Sequence, residues 1–317
     1  MGVPVIAVGN MTAGGTGKTP VVELIVRLLT RRGVRVGVIS RGYGRASRGV
    51  VIVADRERVR VDAQTGGDEP VQIARKFPGV PVVVGERRYD AALAVVEECG
   101  AHIVVSDDGF QHRWLHRDRD IVVVDCTSDL AAEPMLPAGV RRESMRGLRR
   151  AHLVAMTACR DDREASLRSV ALRRWFDGPM VAIERSLESI EEPRSGARLA
   201  TERLSGAACF AFSAIGNPDR FAVDLTRAGA HVVGERRFRD HHLFTHTELG
   251  EIVQRAREVR ADVLVTTEKD FVRTCSDPHA MKLLTGELPL WVPVLAARAV
   301  PAQTLDTMLT ELIEESP

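Results

Sequence analysis

Several things this chain lacks narrow its reading before any motif is considered. Net charge is almost absent: 44 Lys and Arg against 43 Asp and Glu leave +1, so the overall balance indicates no nucleic-acid-binding surface. Long apolar runs are also missing. None approaches the ~18 residues that span a bilayer, and the start carries no signal-peptide pattern. Cysteine is sparse: Cys99, Cys126, Cys159, Cys209 and Cys275 form no close pair. That suits a reducing cytosol and predicts neither a disulfide framework nor a zinc site. No internal repeat or low-complexity segment stands out. What remains, 44% apolar and 27% charged residues over 317 positions, is an ordinary globular composition, long enough for one large α/β unit or two domains.

What is present is organised around residues 9–20, GNMTAGGTGKTP. An apolar run, Val3 to Val8, reads as a buried strand, and Val21 to Leu29 has apolar residues at helical spacing. Strand, glycine-rich turn and a helix opening on Gly-Lys-Thr is the layout of a phosphate-binding loop. Gly14, Gly15 and Gly17 allow backbone conformations that turn successive N–H groups toward one anion. The helix N-terminus adds its partial positive charge there. Lys18 is then expected to reach the β- and γ-phosphates, and the Thr19 hydroxyl to serve Mg²⁺. The usual loop has glycine five residues before Gly17; this one has Thr12.

The following segments alternate strand and helix, which predicts a mostly parallel sheet flanked by helices. Val34 to Ile39 is a strand ending in Ser40-Arg41-Gly42-Tyr43-Gly44-Arg45, a cationic loop where open α/β sheets bind ligands. A solvated turn is an equal alternative. Residues 50–62 read as a small hairpin. Gly66-Gly67-Asp68-Glu69-Pro70 opens a helix, its carboxylates serving as a cap or as a general base beside phosphates. Spacing leaves both open. After a strand at Pro81 to Val84 and a helix at Arg87 to Cys99, the strand Ile103 to Val105 ends in Ser106-Asp107-Asp108-Gly109. Aspartate at such a strand end, ~90 residues after the loop, suits a Mg²⁺ shell. Further strands are read at Ile121 to Asp125 and Leu153 to Thr157. Between them, five arginines lie from Arg141 to Arg150: a solvated face, or a greeting for a phosphorylated substrate or an anionic bilayer.

Residues 160–174 read as a charged helix, and residues 185–203, with Pro193 and Gly196, as a linker. A second α/β alternation follows. Ala207 to Ser213 is a strand, Asn217 caps a helix that Pro218 begins, and His231 to Gly234 leads to Phe238-Arg239-Asp240-His241-His242. A metal reading of His241, His242 and His246 is disfavoured, because adjacent histidines point to different sides and no cysteine is near. An Asp-His pair in this loop serves better as an acid–base group near neutral pH. Helix at Glu248 to Val259, strand at Asp262 to Thr267, then Glu268-Lys269-Asp270 and a closing strand and helix complete the chain. The expected domains are a nucleotide-binding unit at 1–184 and a smaller α/β unit at 185–317 contributing to an active-site cleft.

Together these stretches resemble the tetraacyldisaccharide 4′-kinase (lipid A 4′-kinase) family. The resemblance lies in VGNMTAGGTGKTP, SRGYGR, GDEP, VVVGERR, SDDGFQH, LPAG with Arg142-Glu143, FSAIGNPDRF, FRDHH and TTEKD, in family order from residue 3 to about 295. The family's own loop reads Thr-x-Gly-Gly-Thr-Gly-Lys-Thr, matching Thr12 through Thr19 with Thr16 between the glycines. The resemblance implies a P-loop fold and a Mg²⁺- and ATP-dependent transfer to the 4′-hydroxyl of an acylated glucosamine disaccharide 1-phosphate. It implies Asp68 as base in a dyad with His241, and Lys18 and Thr19 on phosphate and Mg²⁺. Asp107, Asp108 and Glu143 would belong to the metal shell, with Arg88 and Arg142 stabilising phosphoryl or substrate charge.

Two departures qualify it. Family members usually carry an amino-terminal membrane-seeking segment, whereas this sequence begins almost directly on its first strand. Either the numbering starts inside a longer protein, or contact with the cytoplasmic face of the inner membrane is made otherwise, for instance by the Arg141 to Arg150 run or SRGYGR. Val140 and Arg141 also replace the family's usual Pro and Leu before Arg142. Two competing readings stand beside the kinase: a partitioning or targeting ATPase, whose signature lysine is here Ala13, and a P-loop kinase of a soluble small molecule.

Overall fold

Runs of β-branched residues become strands, and amphipathic segments become helices, throughout residues 2–315, which the computed structural model describes. The first elements are β1 (Val5–Asn10), α1 (Lys18–Arg31), β2 (Val36–Ser40), β3 (Val51–Ala54), α2 (Ala63–Gly66) and α3 (Asp68–Lys76). They are followed by β4 (Val82–Val84), α4 (Arg88–Glu97), β5 (Ile103–Asp107), β6 (Arg119–Asp125), β7 (Leu153–Thr157) and α5 (Asp162–Leu172). Next come β8 (Met180–Glu192), β9 (Ala197–Leu199), β10 (Ala208–Ser213), α6 (Pro218–Arg227), β11 (His231–Arg237) and α7 (His246–Glu258). The last are β12 (Val263–Thr266), α8 (Glu268–Thr274), α9 (Pro278–Gly286), β13 (Leu290–Val300) and α10 (Ala302–Glu314).

The chain divides into two units. The first contains the residues up to Val61, Glu69–Arg185 and those from Ala297 on. Its strands run β8-β7-β6-β1-β5-β2-β4-β3, parallel except for β3. Every residue of β1 is buried, as expected of a strand covered on both faces. One side packs Val5, Ile39, Val83, Ala91, Val95 and Val104; another cluster joins Met11, Phe110, Val122, Leu148, Val154 and Phe176. Burying each larger side chain contributes about 1.5–3 kcal/mol. Because the strands are parallel, the loops after β1, β2, β5, β6 and β7 gather at one sheet edge. β1 lies where the order reverses, with β5 and β2 to one side and β6 to the other, which is where such sheets form their crevice.

The second unit holds Asp62–Asp68 and Ser186–Ala296. Its parallel strands run β11-β10-β12-β13. Side-chain alternation along β10 sends Phe210 and Phe212 toward Leu249, Ile252 and Phe271, and Cys209 and Ala211 toward Leu225, Val263 and Trp291.

Three features differ from the sequence reading. Residues 185–203 hold no open linker: the later part of β8 pairs antiparallel with β9, Ile190 opposite Leu199. The units are not contiguous in sequence, since Asp62–Asp68 belongs to the second and α10 to the first. Hydrophobic pattern gives element type but not which neighbour an element joins. Finally, Cys126 and Cys159 form a disulfide, correcting the expectation of unpaired cysteines. They are 33 positions apart, yet each follows the end of a strand, and the pairing of Asp125 with Thr157 brings those ends together.

Candidate active site

In the first unit the glycine-rich turn leaves β1 at Asn10 and enters α1 at Lys18. Gly17 occupies the residue before the helix with φ 80°, in the left-handed region that glycine adopts without a Cβ penalty. No side chain caps this end of α1, so its first N–H groups face outward with the helix dipole, an arrangement suited to an anion. The turn is braced from within. Asn10 Nδ2 donates to Thr16 Oγ1 at 2.8 Å, Lys18 Nζ donates to Asn10 Oδ1 at 3.3 Å, and the Thr157 hydroxyl donates to the Thr16 carbonyl at 2.7 Å. Thr12 bridges to Arg141, and the Ala13 N–H donates to the Val140 carbonyl at 2.7 Å. The loop after β6 is thereby laid against the phosphate turn.

That pairing positions Arg142, whose N–H donates to the Met11 carbonyl at 2.6 Å. Its guanidinium donates to both oxygens of Asp108 at 3.0 Å. Lys18 lies 3.6 Å from the same carboxylate. Burial would raise Asp108, but Lys18 and Arg142 hold it below the usual carboxylate range. Asp107 differs. It is buried, accepts from the Ser40 hydroxyl at 3.2 Å, and its Oδ1 has no hydrogen-bond partner among the described residues. Burial and the charge of Glu69 push Asp107 up to about 6, against the pull of Lys18 and Arg88. Arg88 opens α4, buried, and donates to the Gly85 carbonyl at 3.0 Å and, more distantly, to that of Asp107 at 3.5 Å. Burial lowers it to about 10.

Glu143 accepts from Gln111 at 3.0 Å and from Arg150 at 2.8 Å. Arg150 also stacks over Phe110, 4.4 Å from the ring centre. The Glu143 carboxylate lies over Gly147, where a Cβ would collide with it. Of the five arginines from 141 to 150, Arg142 and Arg150 are therefore engaged with carboxylates, and Arg146 and Arg149 are exposed.

The second unit carries a separate constellation. His241, at φ 62° in the loop after β11, places Nδ1 2.9 Å from Asp68 Oδ2. Its N–H donates to the Ala214 carbonyl at 3.2 Å. Arg273 of α8 donates to the same Asp68 oxygen from Nε at 3.0 Å and Nη2 at 2.5 Å, and to Asp270 at 2.8 Å. Lys269 stands 3.3 Å from His241 Nε2 and 3.9 Å from Asp68. Burial would raise Asp68, yet the charges of Lys269 and Arg273 outweigh it and hold the carboxyl below its ordinary range. His242 pairs with Glu248 at 3.0 Å and His246 with Asp277 at 2.7 Å. The three histidines thus face three different acids, and no metal-holding group of three occurs among the described residues.

Thr12, Gly14, Gly15, Thr16, Gly17, Lys18, Thr19, Arg88, Asp107, Asp108, Arg142 and Glu143 therefore belong to the first unit; Asp68 and His241 belong to the second. Sequence reasoning missed Asn10, Thr157 and Arg150 in the first set and the roles of Lys269 and Arg273 in the second. Asn10 carried a signal, a polar residue ending an apolar run. Arg273 carried another, standing one helical turn from Asp270 in a segment opened by TTEKD.

A parallel sheet with a Gly-Lys-Thr turn at its order reversal defines a P-loop nucleotide-binding protein. The sequence profile of the tetraacyldisaccharide-1-P 4′-kinase family, LpxK, matches residues 1–314, and the chain belongs to that family. It is 42% identical over 275 residues to the tetraacyldisaccharide 4′-kinase of Anaeromyxobacter sp. strain Fw109-5, covering 86% of this chain and 74% of that protein. The kinase of Geobacter metallireducens is 40% identical over 271 residues, covering 85% and 78%. A crystal structure of LpxK from Aquifex aeolicus in complex with ATP superposes with a TM-score of 0.77 at 29% identity, covering 98% of this chain and 89% of that one. The family read from the ordered motifs is thus the family found, and the partitioning-ATPase and soluble-substrate readings fall away.

Proposed function

We propose that this chain transfers the γ-phosphoryl group of ATP to the 4′-hydroxyl of a tetraacylated glucosamine disaccharide 1-phosphate, giving a phosphorylated lipid A precursor. Two observations support the reading, each within its own unit: a braced phosphate turn in the first and a carboxylate hydrogen-bonded to an imidazole in the second, in a chain of this family. Backbone N–H groups at Gly14 to Thr19 and the Lys18 ammonium receive the phosphate tail. Arg88 and Arg142 supply planar donors for phosphoryl oxygens. Asp68 accepts the hydroxyl proton, and His241 orients it. A weakly basic carboxylate is adequate, because in a loose phosphoryl-transfer transition state little nucleophile bonding has formed, and positioning and electrostatics dominate.

The first unit offers a hard-oxygen donor set suited to Mg²⁺. Asp107 has a buried oxygen without a partner among the described residues, and the Thr19 hydroxyl sits on the first turn of α1. These two would hold the ion, with Asp108 and Glu143 beside them while paired to arginines. When bound, Mg²⁺ neutralises charge on the β- and γ-phosphates.

We place the enzyme at the cytoplasmic face of the inner membrane as a peripheral protein. Among the described residues no helix is long and apolar enough to cross a bilayer. Tyr43 is 71% exposed in the loop after β2, and Trp114 is 94% exposed after β5, both beside arginines. Exposed aromatic rings among cations suit an anionic lipid interface. Flotation with anionic vesicles tests this; equal, negligible binding to neutral and anionic lipid contradicts it. The activity itself is tested by incubating the protein with ATP and the lipid disaccharide. A product heavier by one phosphate is expected, and phosphorylation of a soluble amino sugar instead would overturn the assignment.

A further inference from the structure

Lys269 has so far entered only through its charge on Asp68, yet it also stands at the His241 ring. Its ammonium carries only donors. At 3.3 Å from His241 Nε2, it can be satisfied there only if that nitrogen keeps its lone pair. The ring then carries its proton on Nδ1, the atom 2.9 Å from Asp68 Oδ2. The carboxylate side agrees, since an ionised Asp68 can only accept. Were the ring's proton on Nε2 instead, Nδ1 would turn a lone pair toward the carboxylate, and the bond that orients Asp68 would be lost.

We propose that Lys269 is a positioning residue: facing His241 Nε2, it keeps that nitrogen bare, while Arg273 clamps the Asp68 carboxylate, so that Asp68 stays oriented and available as an acceptor. This rests on the reading of Asp68 as base. The charged and titratable groups around the pair come from each neighbouring element. Asp68 is faced by His241 and by Lys269 and Arg273 of α8. His241 is faced by Asp68 and Lys269, and Asp240 stands 3.8 Å from the same Nε2, an acid that would favour a proton there but that Lys269 itself approaches at 3.5 Å. Asp270 holds Arg273 at 2.8 Å and accepts from the Ala214 N–H at 3.1 Å, tying the clamp to the strand end that also anchors the His241 backbone.

The test uses the full chain with nitrogen-15-labelled histidine, as wild type, Lys269→Met and Lys269→Arg. In the wild type the His241 signals should report a proton on Nδ1 and none on Nε2. In Lys269→Met the ring should no longer favour that tautomer and its signals should move toward a proton on Nε2, and kcat should fall about 10–100-fold with KM for ATP changed by less than about twofold. Lys269→Arg, also donor-only, should keep Nε2 bare and recover kcat to within about tenfold of wild type. A protonated Nε2 in the wild type, an unchanged ring in Lys269→Met, or an unchanged kcat there would each overturn the proposal. Full activity in Asp68→Asn would instead remove the base, leaving the ring-nitrogen result standing.

Discussion

His241 Nδ1 lies 2.9 Å from Asp68 Oδ2 although 173 positions separate the two residues in the chain. The contact is assembled by the second unit, which recruits the short segment Asp62–Asp68 out of the first half of the sequence. It is held under backbone strain. His241 has φ 62°, a conformation that costs a non-glycine residue about 1–3 kcal/mol. The bond from its N–H to Ala214 and the Asp270–Arg273 clamp offset that cost.

Removing the cation of the phosphate turn should act on chemistry more than on fold. Lys18→Ala is expected to lower kcat at least about 100-fold. Thermal melting should shift little, since Thr157 and Asn10 still brace the turn. Steady-state kinetics alongside calorimetry checks both halves.

Gly147 separates packing from function in another way. A Cβ there would meet the Glu143 carboxylate, a flexible group that can swing aside. Gly147→Ala should therefore cost no more than the usual overpacking penalty, about 1–3 kcal/mol. It should nevertheless pull Glu143 from Gln111 and Arg150, so that Gly147→Ala and Glu143→Gln should both need more Mg²⁺ than wild type for half-maximal rate. Parallel assays of the two variants against Mg²⁺ concentration test the match.

Acid should weaken the second unit through Asp68. Its carboxyl is held below the ordinary range, so the folded state binds its proton less readily than the unfolded chain. The resulting stability is complete above the ordinary carboxylate range and is lost as pH falls through the folded value. Asp68→Asn should melt lower than wild type at neutral pH, and the gap should narrow as the pH is lowered. Melting curves across pH 7 to about 3 measure it.

Much of this was legible because each element carried its own local signal. The strand–turn–helix at residues 3–29 was read from apolar run, glycines and periodicity, and Asn217 caps the helix begun by Pro218 as its chemistry requires. What depends on contacts between distant segments was not legible. The hairpin of β8 and β9 lay in a segment of mixed charge with no clear period. Cys126 and Cys159 meet only because their strands are neighbours. Lys269 reads as an ordinary helix charge, and Arg273, although one turn from Asp270, gives no local sign that Asp68 is its partner.

Asp68→Ala, assayed by transfer of labelled phosphate from ATP to the lipid disaccharide with ATP affinity measured in parallel, tests the proposed base most directly. A fall in kcat of at least about 100-fold with ATP affinity nearly unchanged is predicted. Transfer at the wild-type rate would contradict it.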